Sequence, residues 1–408
     1  MAPPPALMDD VVDEILLRLP PADPACLARA SLVCKRWRRL LSGPAFRRRY
    51  RLFHGKPLLL GFIHVLKGSP PYASRFVSTS DHGPATRDLP GWLVLDCRHG
   101  RALFATASPN VGSRRAVDLV VWNPTTNEQH RLSPPSTSPD LAVQHFNAAV
   151  LCAAGEGCDH TDCHGGPFRV VFIFTSTRYT QTVTSALVYS SQSGAWGDLT
   201  SIHLPHCQAY VDVMPSVLVG DTLYFSCGSK YIFEYQLGVS RLSAISAPAH
   251  FHGTLLVIIK GEKGVLEFTD IQLSGSSIHV WAREVSASGA GAWVQCRSIK
   301  LKTLLPDGAL PTNVDSRFMA RVSGFIEGTD VIFVGTSGNT YMVQLKSRRI
   351  TELALPSGRV VPYADFYIPA MRAASTGDTP RAGSSFFSNL KRRCFKYMTN
   401  SSCLSKVF

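Results

Sequence analysis

Residues 9–19 place apolar side chains at helical spacing, about every three to four residues. The apolar positions are Val12, Ile15, Leu16 and Leu19. Asp9 and Asp10 precede them and can cap a helix, and Pro20 ends the pattern because proline cannot continue a helix. The sequence therefore predicts a short amphipathic helix here.

A second helical pattern begins at Asp23 and Pro24, an N-cap residue followed by proline at the first helical position. Its apolar stripe consists of Leu27, Ala30, Ser31, Val33, Cys34, Trp37, Leu40 and Leu41. Gly43 ends it, and arginines up to Arg51 follow. We predict a small three-helix module, too small to be stable alone and completed by a partner helix surface.

From about Lys56 to Pro369, short apolar runs alternate with turn residues, which is typical of β structure. A unit of strand, polar turn and second strand recurs five times. Its first strands are Leu119–Trp122, Leu187–Tyr189, Ile232–Tyr235, Ile278–Trp281 and Tyr341–Leu345. Strand pairs precede two of them, at 217–225 and 324–334. The repetition of this unit along the chain predicts a β-propeller, with a two-sheet sandwich as the second possibility.

The predicted fold class is thus mixed and mainly β. We divide the chain into a helical domain at 1–52, a β-propeller-like domain at 56–370 and a basic, disordered tail at 371–408.

Charge is concentrated at the two ends of the chain. Residues 1–60 contain eleven Lys and Arg against five Asp and Glu, and residues 371–408 contain seven against one. The residues between them account for only +1 of the total charge of +13. Electrostatic binding to nucleic acid needs clustered cations on one face, so we expect neither nucleic acid nor a membrane as partner. The basic helix residues are interpreted as a solvated face.

The eleven cysteines are an odd number and are scattered, which favours a reducing compartment over a disulfide framework. The first residues lack a basic stretch followed by an apolar one, and the longest apolar run, Leu58–Leu66, is shorter than the roughly 18 residues of a membrane span. We expect a soluble protein of the cytoplasm, the nucleus or both.

A cysteine- and histidine-rich segment could bind zinc through thiolate and imidazole ligands. It contains Cys152, Cys158, His160, Cys163 and His164 among several glycines. The spacing does not match paired C-x-x-C motifs, so we expect an inter-strand loop without metal and keep zinc as the minor alternative. No nucleophile elbow, zinc-protease helix or phosphate-binding loop motif occurs, so we predict no enzymatic activity and no cofactor.

The run from Leu7 to Tyr50 resembles the F-box. The residues that carry this resemblance are Asp10, Glu14, Ile15, Leu16, Leu19, Pro20, Leu32, Val33, Cys34, Trp37 and Leu40. The β region, particularly 188–196 and 215–225, resembles the kelch-like or associated domains behind F-boxes in plant families. The F-box resemblance implies a substrate receptor of a Skp-cullin-F-box ubiquitin ligase, joined through a Skp-type adaptor to cullin and RING subunits. It implies adaptor-binding positions at Leu7, Met8, Ile15, Leu16, Leu19, Pro20, Leu32, Val33, Cys34 and Trp37.

One position departs from the F-box pattern. The family usually has Leu-Pro where this chain has Leu7 and Met8, and methionine does not fix the backbone as proline does, which predicts weaker adaptor binding. Two alternatives stay open: an adaptor-independent scaffold, and a small-molecule-binding enzyme on the propeller. The target protein is not identified by the sequence.

Overall fold

The computed structural model describes residues 8–365, apart from 22, 56–57, 80–83, 108–116, 133–144, 156–157, 159, 161–162, 179–180, 205–208, 228–230, 248–256, 262–263, 272–276, 286–290 and 311–319. Leu7 and the predicted tail at 371–408 lie outside the described residues. The chain divides into two compact units, one containing the N-terminal helices and one containing almost all of the strands. Within the described residues, no helix has the length and apolar character needed to span a bilayer.

The described N-terminal residues form four helices, α1 (Asp9–Leu17), α2 (Pro24–Val33), α3 (Lys35–Ser42) and α4 (Pro44–His54). The predicted number of three was therefore wrong. Cys34 is the reason, because its extended backbone (φ −160°, ψ 166°) interrupts what the apolar stripe suggested was one continuous helix. The arginine-rich segment after Gly43 forms the fourth helix, with Pro44 at its first position.

Local caps define the helix starts. The Asp23 carboxylate accepts a hydrogen bond from the Ala25 N–H at 3.1 Å, as predicted for an N-cap. Asp9 and Asp10 lie in the first turn of α1 and do not cap it, because Met8 occupies the N-cap position. Their negative charge still favours this helix end through the helix dipole.

Twenty-five strands are named in the described residues. Those of the first part of the sequence are β1 (Leu58–Lys67), β2 (Ala73–Ser78), β3 (Arg87–Pro90), β4 (Trp92–Arg98), β5 (Arg101–Ala107), β6 (Val117–Trp122), β7 (Gln129–Leu132), β8 (His145–Cys152), β9 (Phe168–Arg178), β10 (Gln181–Ser190), β11 (Ala195–Trp196) and β12 (Thr200–His203). Those that follow are β13 (Val217–Val219), β14 (Thr222–Ser226), β15 (Tyr231–Gln236), β16 (Arg241–Ser246), β17 (Val257–Lys260), β18 (Leu266–Ile271), β19 (Ser277–Val285), β20 (Gly291–Lys300), β21 (Arg321–Phe325), β22 (Val331–Gly335), β23 (Asn339–Gln344), β24 (Ile350–Pro356) and β25 (Val360–Asp365).

These strands form six antiparallel sheets, the blades of a six-bladed β-propeller. Blade 1 has the order β25-β1-β2-β3, blade 2 is β4–β7, blade 3 is β8–β12, blade 4 is β13–β16, blade 5 is β17–β20 and blade 6 is β21–β24. First strands of successive blades lie next to one another, as β4 does beside β8 and β17 beside β21. The propeller prediction is confirmed, and the two-sheet sandwich is excluded.

The five units found in the sequence are the third and fourth strands of blades 2 to 6. Their first strands correspond to β6, β10, β15, β19 and β23. No unit was found for blade 1, and this blade is composite: its first strand, β25, comes from the far end of the sequence and pairs with β1. The Val65 N–H donates to the Arg359 carbonyl at 2.9 Å where the two ends of the propeller sequence meet.

Apolar side chains from facing blades form the propeller core. One cluster joins blades 2 and 3 through residues such as Leu103, Val150 and Phe172, and another joins blades 4, 5 and 6 through residues such as Phe268 and Val343. All five are fully or almost fully buried. Each blade is therefore stable only against its neighbours, as expected for this architecture.

Candidate functional site

The helical unit has its own apolar core, to which α4 contributes. The buried members are Val12, Leu16, Leu17, Leu27, Ala30, Leu41, Phe46 and Tyr50. Tyr50 in α4 donates its hydroxyl hydrogen to the Leu19 carbonyl at 2.9 Å, and His54 Nε2 lies 2.8 Å from the Leu17 carbonyl oxygen. These contacts hold the end of α1 against α4.

Apolar side chains outside this core face solvent at the start of α1 and the end of α2. Met8 is 71% exposed and Leu32 is 57% exposed, while Val11 and Ile15 on α1 are 38% and 37% exposed. Cys34 follows Leu32 closely and is also exposed. We call Met8, Val11, Ile15, Leu32 and Cys34 the apolar helix surface.

An ion pair connects the two parts of the apolar helix surface. The Arg36 guanidinium in α3 contacts the Asp9 carboxylate at the start of α1. Asp9 is adjacent to Met8, and Arg36 lies two residues after Cys34. The pair therefore brings the start of α1 to the junction of α2 and α3.

The junction itself is set by Cys34. Its thiol sulfur accepts a hydrogen bond from the Trp37 N–H at 3.5 Å, which caps α3. Trp37 is half-buried and packs on the core together with Leu19 and Leu40. Cys34 and Trp37 thus have a structural part in holding the junction.

The predicted adaptor-binding residues divide into three groups by burial. Met8, Ile15, Pro20, Leu32 and Cys34 are exposed, and Leu19, Val33 and Trp37 are half-buried. Leu16 is fully buried. Leu16 therefore supports the surface from the core and does not reach it.

Sequence reasoning missed exposed apolar residues at two places. Val11 lies one turn before Ile15 on α1, and its signal was the helical spacing of four residues. Leu52 and Phe53 on α4 are 54% and 56% exposed. They were missed because the surrounding arginines were interpreted as a solvated face.

The basic residues of the helices are partly paired. Arg49 contacts Asp13 and Glu14 across α1 and α4, and Arg18 contacts Glu14 within the same region. The hydrogen bond from Arg18 lowers the pKa of Glu14. Arg51 is buried, so the predicted solvated basic face does not include it.

In the propeller, a buried charge cluster joins the blades near the ends of their first strands. Arg98 at the end of β4 contacts Asp96, donates from Nε to Glu327 at 3.2 Å, and donates from Nη1 to the Ser216 hydroxyl at 3.1 Å. Asp96 also accepts the Val150 N–H at 2.8 Å. These five residues belong to blades 2, 3, 4 and 6 or to their connections.

The connection between β8 and β9 brings four of the predicted metal-ligating residues together. Cys152, Cys158, His160 and Cys163 place one ligand atom each within 4.8 Å of the others. Burial raises the pKa of the Cys163 thiol to about 12, and the neighbouring Cys152 contributes in the same direction. The side chain of His164 lies outside what the structure describes.

Two family models match the chain. The F-box domain model matches residues 7–49. A model described as F-box protein AT5G49610-like, beta-propeller, matches residues 93–359. The kelch-like detail of the resemblance stays a prediction. A search of curated proteins found no match.

Two solved structures show distant similarity to the chain. A structure from a study of two prolyl endopeptidases has a TM-score of 0.35 and 17% identity, over 72% of this chain and 38% of that chain. A structure of the mitotic checkpoint complex has a TM-score of 0.33 and 10% identity, over 63% of this chain and 61% of that chain. The chain thus spans less than two thirds of either, and at these TM-scores neither carries a functional argument.

Proposed function

The chain belongs to the F-box protein AT5G49610-like family with a β-propeller, and on this premise we propose that it is a substrate-recognition subunit of a Skp-cullin-F-box ubiquitin ligase. The helices bind a Skp-type adaptor, which connects the chain to cullin and RING subunits. The propeller binds a target protein. The chain itself performs no catalysis.

The apolar helix surface is the observation that carries this proposal. A small helical unit that leaves Met8, Ile15 and Leu32 exposed gains stability when a partner covers them, since fully burying a large apolar side chain contributes about 1.5–3 kcal/mol. The core beneath it, with Leu16 fully buried, gives the partner a preformed surface.

The remaining proposed positions act from behind this surface. Leu19, Val33 and Trp37 are half-buried, so each can pack on the core and still present an edge to the adaptor. Leu7 and Pro20 complete the proposed set at the two ends of α1. We retain the proposed domain limits of 1–52 and 56–370, with the tail at 371–408.

Adaptor binding is tested by titrating a purified Skp-type adaptor into the full-length chain in a calorimeter. We expect Leu32→Asp to raise the Kd at least about 100-fold, because it removes apolar burial and places a charge in an apolar interface. Leu52→Asp is the matched control, since Leu52 has nearly the same exposure but lies on α4 and does not belong to the proposed set. Equal affinities of wild type and Leu32→Asp would contradict the proposed surface.

Target binding is a separate part of the proposal and needs a separate experiment. We expect at least one protein to accumulate on the chain when the proteasome is blocked. The same protein should be ubiquitinated with the wild-type chain and remain bound but unmodified with Leu32→Asp. If the wild-type chain and Leu32→Asp capture the same proteins, and these proteins are modified to the same extent with both, the result would support the adaptor-independent scaffold instead.

The expected location is the cytoplasm, the nucleus or both. Cys34, Cys152, Cys158, Cys163 and Cys296 are free thiols, which agrees with a reducing compartment.

A further inference from the structure

The connection between β8 and β9 gathers soft metal ligands from separated positions. Cys152 is the last residue of β8, and Cys163 begins a short 3-10 helix (Cys163–Gly165) before β9. Cys158 and His160 lie between them. Folding of the hairpin thus brings three thiols and one imidazole to a single place.

The distances suit tetrahedral coordination. The Sγ atoms of Cys152 and Cys158 are 3.7 Å apart, and Cys163 Sγ is 3.8 Å from His160 Nδ1. A tetrahedron with Zn–S bonds of about 2.3 Å and Zn–N bonds of about 2.0 Å separates two sulfurs by about 3.8 Å and a sulfur and a nitrogen by about 3.5 Å. The full set, within 4.8 Å, needs only small adjustments to surround one ion.

The same distances argue against a disulfide. Bonded sulfurs are about 2.05 Å apart, so Cys152 and Cys158 at 3.7 Å are unbonded thiols. Three thiols and one imidazole at these separations are close enough for a single cation to bind all four.

The backbone supports the cluster. The Ala154 N–H donates to Cys152 Sγ at 3.3 Å, an arrangement that stabilises the sulfur as a thiolate ligand. His160 has φ of 54°, in the left-handed region, which costs a non-glycine residue on the order of 1–3 kcal/mol. A metal–imidazole bond would offset this cost.

A buried arginine supplies matching charge. Three thiolates and one neutral imidazole around a divalent ion have a net charge of −1. Arg101 is buried and donates from Nη2 to the carbonyls of Cys163 at 2.7 Å and Gly166 at 2.6 Å, so its positive charge lies beside the cluster. The His99 ring also lies against His160, with centroids 4.4 Å apart.

We propose that Cys152, Cys158, His160 and Cys163 bind one zinc ion in a tetrahedral site that fixes the connection between blade strands β8 and β9. Three thiolates and one imidazole form a ligand set that selects zinc over harder divalent ions such as magnesium and calcium. All four positions are filled by protein, which makes the site structural and not catalytic. Through Arg101 and His99, the ion would also hold this connection to the turn between β4 and β5.

The test is the zinc content of the purified full-length chain, measured by mass spectrometry of the elements after dialysis without chelator. We expect about one zinc per chain for the wild type and less than about 0.2 for Cys158→Ser or Cys163→Ser. Cys296→Ser is the matched control, because Cys296 is an exposed free thiol on β20 and its loss should leave the zinc content unchanged.

A second measurement does not depend on the folding of a variant. Cobalt added to the metal-stripped wild-type chain should give the intense visible bands of a tetrahedral site and a thiolate-to-cobalt charge-transfer band. A wild-type chain with neither zinc nor these bands would overturn the proposal. So would a mass lower by two hydrogens that maps to a Cys152–Cys158 disulfide. Adaptor binding is measured separately, so failure here leaves the proposed function untouched.

Discussion

Arg98 supports the sharpest stability prediction, because it connects several blades from a buried position. Its side chain is 5% exposed and Asp96 is 2% exposed. Replacing Arg98 with methionine retains an apolar side chain of substantial length but removes every hydrogen bond to Asp96, Ser216 and Glu327. Removing one partner of a buried ion pair costs about 3–5 kcal/mol, since the other charge stays buried without compensation.

The prediction has a pH dependence of known sign. Burial raises the pKa of Asp96, and Arg98 beside it opposes that rise. Without Arg98 the folded-state pKa of Asp96 is higher still, above the unfolded value of about 3.9. Proton uptake as the pH falls through the raised pKa therefore favours the folded state. The destabilisation by Arg98→Met should shrink as the pH falls from neutral.

The measurement is urea unfolding followed by tryptophan fluorescence. Five of the six tryptophans lie in the propeller region, at Trp92, Trp122, Trp196, Trp281 and Trp293. Arg283→Met is the matched control, because Arg283 pairs with Glu234 at 3.8 Å with both side chains partly exposed, and such a pair contributes at most about 1 kcal/mol. Adding Asp96→Asn to Arg98→Met should recover part of the loss. The reasoning would be refuted if Arg98→Met lowers the free energy of unfolding by no more than Arg283→Met does. It would also be refuted if the loss caused by Arg98→Met does not change with pH.

Two further variants test the blade closure and the helix start. An added Cβ at Gly324 would lie 2.0 Å from the Val360 carbonyl oxygen, so Gly324→Ala should destabilise the propeller by about 1–3 kcal/mol and reduce hydrogen-exchange protection in β25. Gly338→Ala is the control and should have neither effect, because the space around Gly338 is open. Unchanged protection of β25 in Gly324→Ala would contradict this prediction. Met8 has φ of −65°, the value that proline imposes, so Met8→Pro should be tolerated and should stabilise the helical unit by about 0.4–1 kcal/mol. Thermal unfolding measures this effect, and a lower melting temperature of the variant would contradict the prediction.

The propeller could be predicted from the sequence because third strands carry the strongest apolar signal in each blade. In these strands, such as β6 and β15, buried residues occupy consecutive positions or alternate with partly buried ones, and a recognisable turn follows each strand. The composite blade could not be predicted, because the pairing of β25 with β1 joins segments almost 300 residues apart. No local pattern reports such a long-range contact.

The helical surface was predictable in outline and not in detail. Helical spacing cannot distinguish Leu16 in the core from Ile15 at the surface, since adjacent positions on a wide apolar stripe differ only in packing. The break at Cys34 also escaped prediction, because a cysteine that caps a helix has no sequence signature. Similarly, the four proposed metal ligands were noted in the sequence, but a loop without metal was expected there. Their spacing matches no paired motif because Cys152 comes from a strand and the others from a connection.

The most direct test of the central claim is whether the full-length chain assembles with a purified Skp-type adaptor, cullin and RING subunit. Size-exclusion chromatography with light scattering should show the wild-type chain and Leu52→Asp in the assembly at one copy per adaptor. Leu32→Asp should elute alone. A wild-type chain that elutes separately from the adaptor would contradict its role as a ubiquitin ligase receptor.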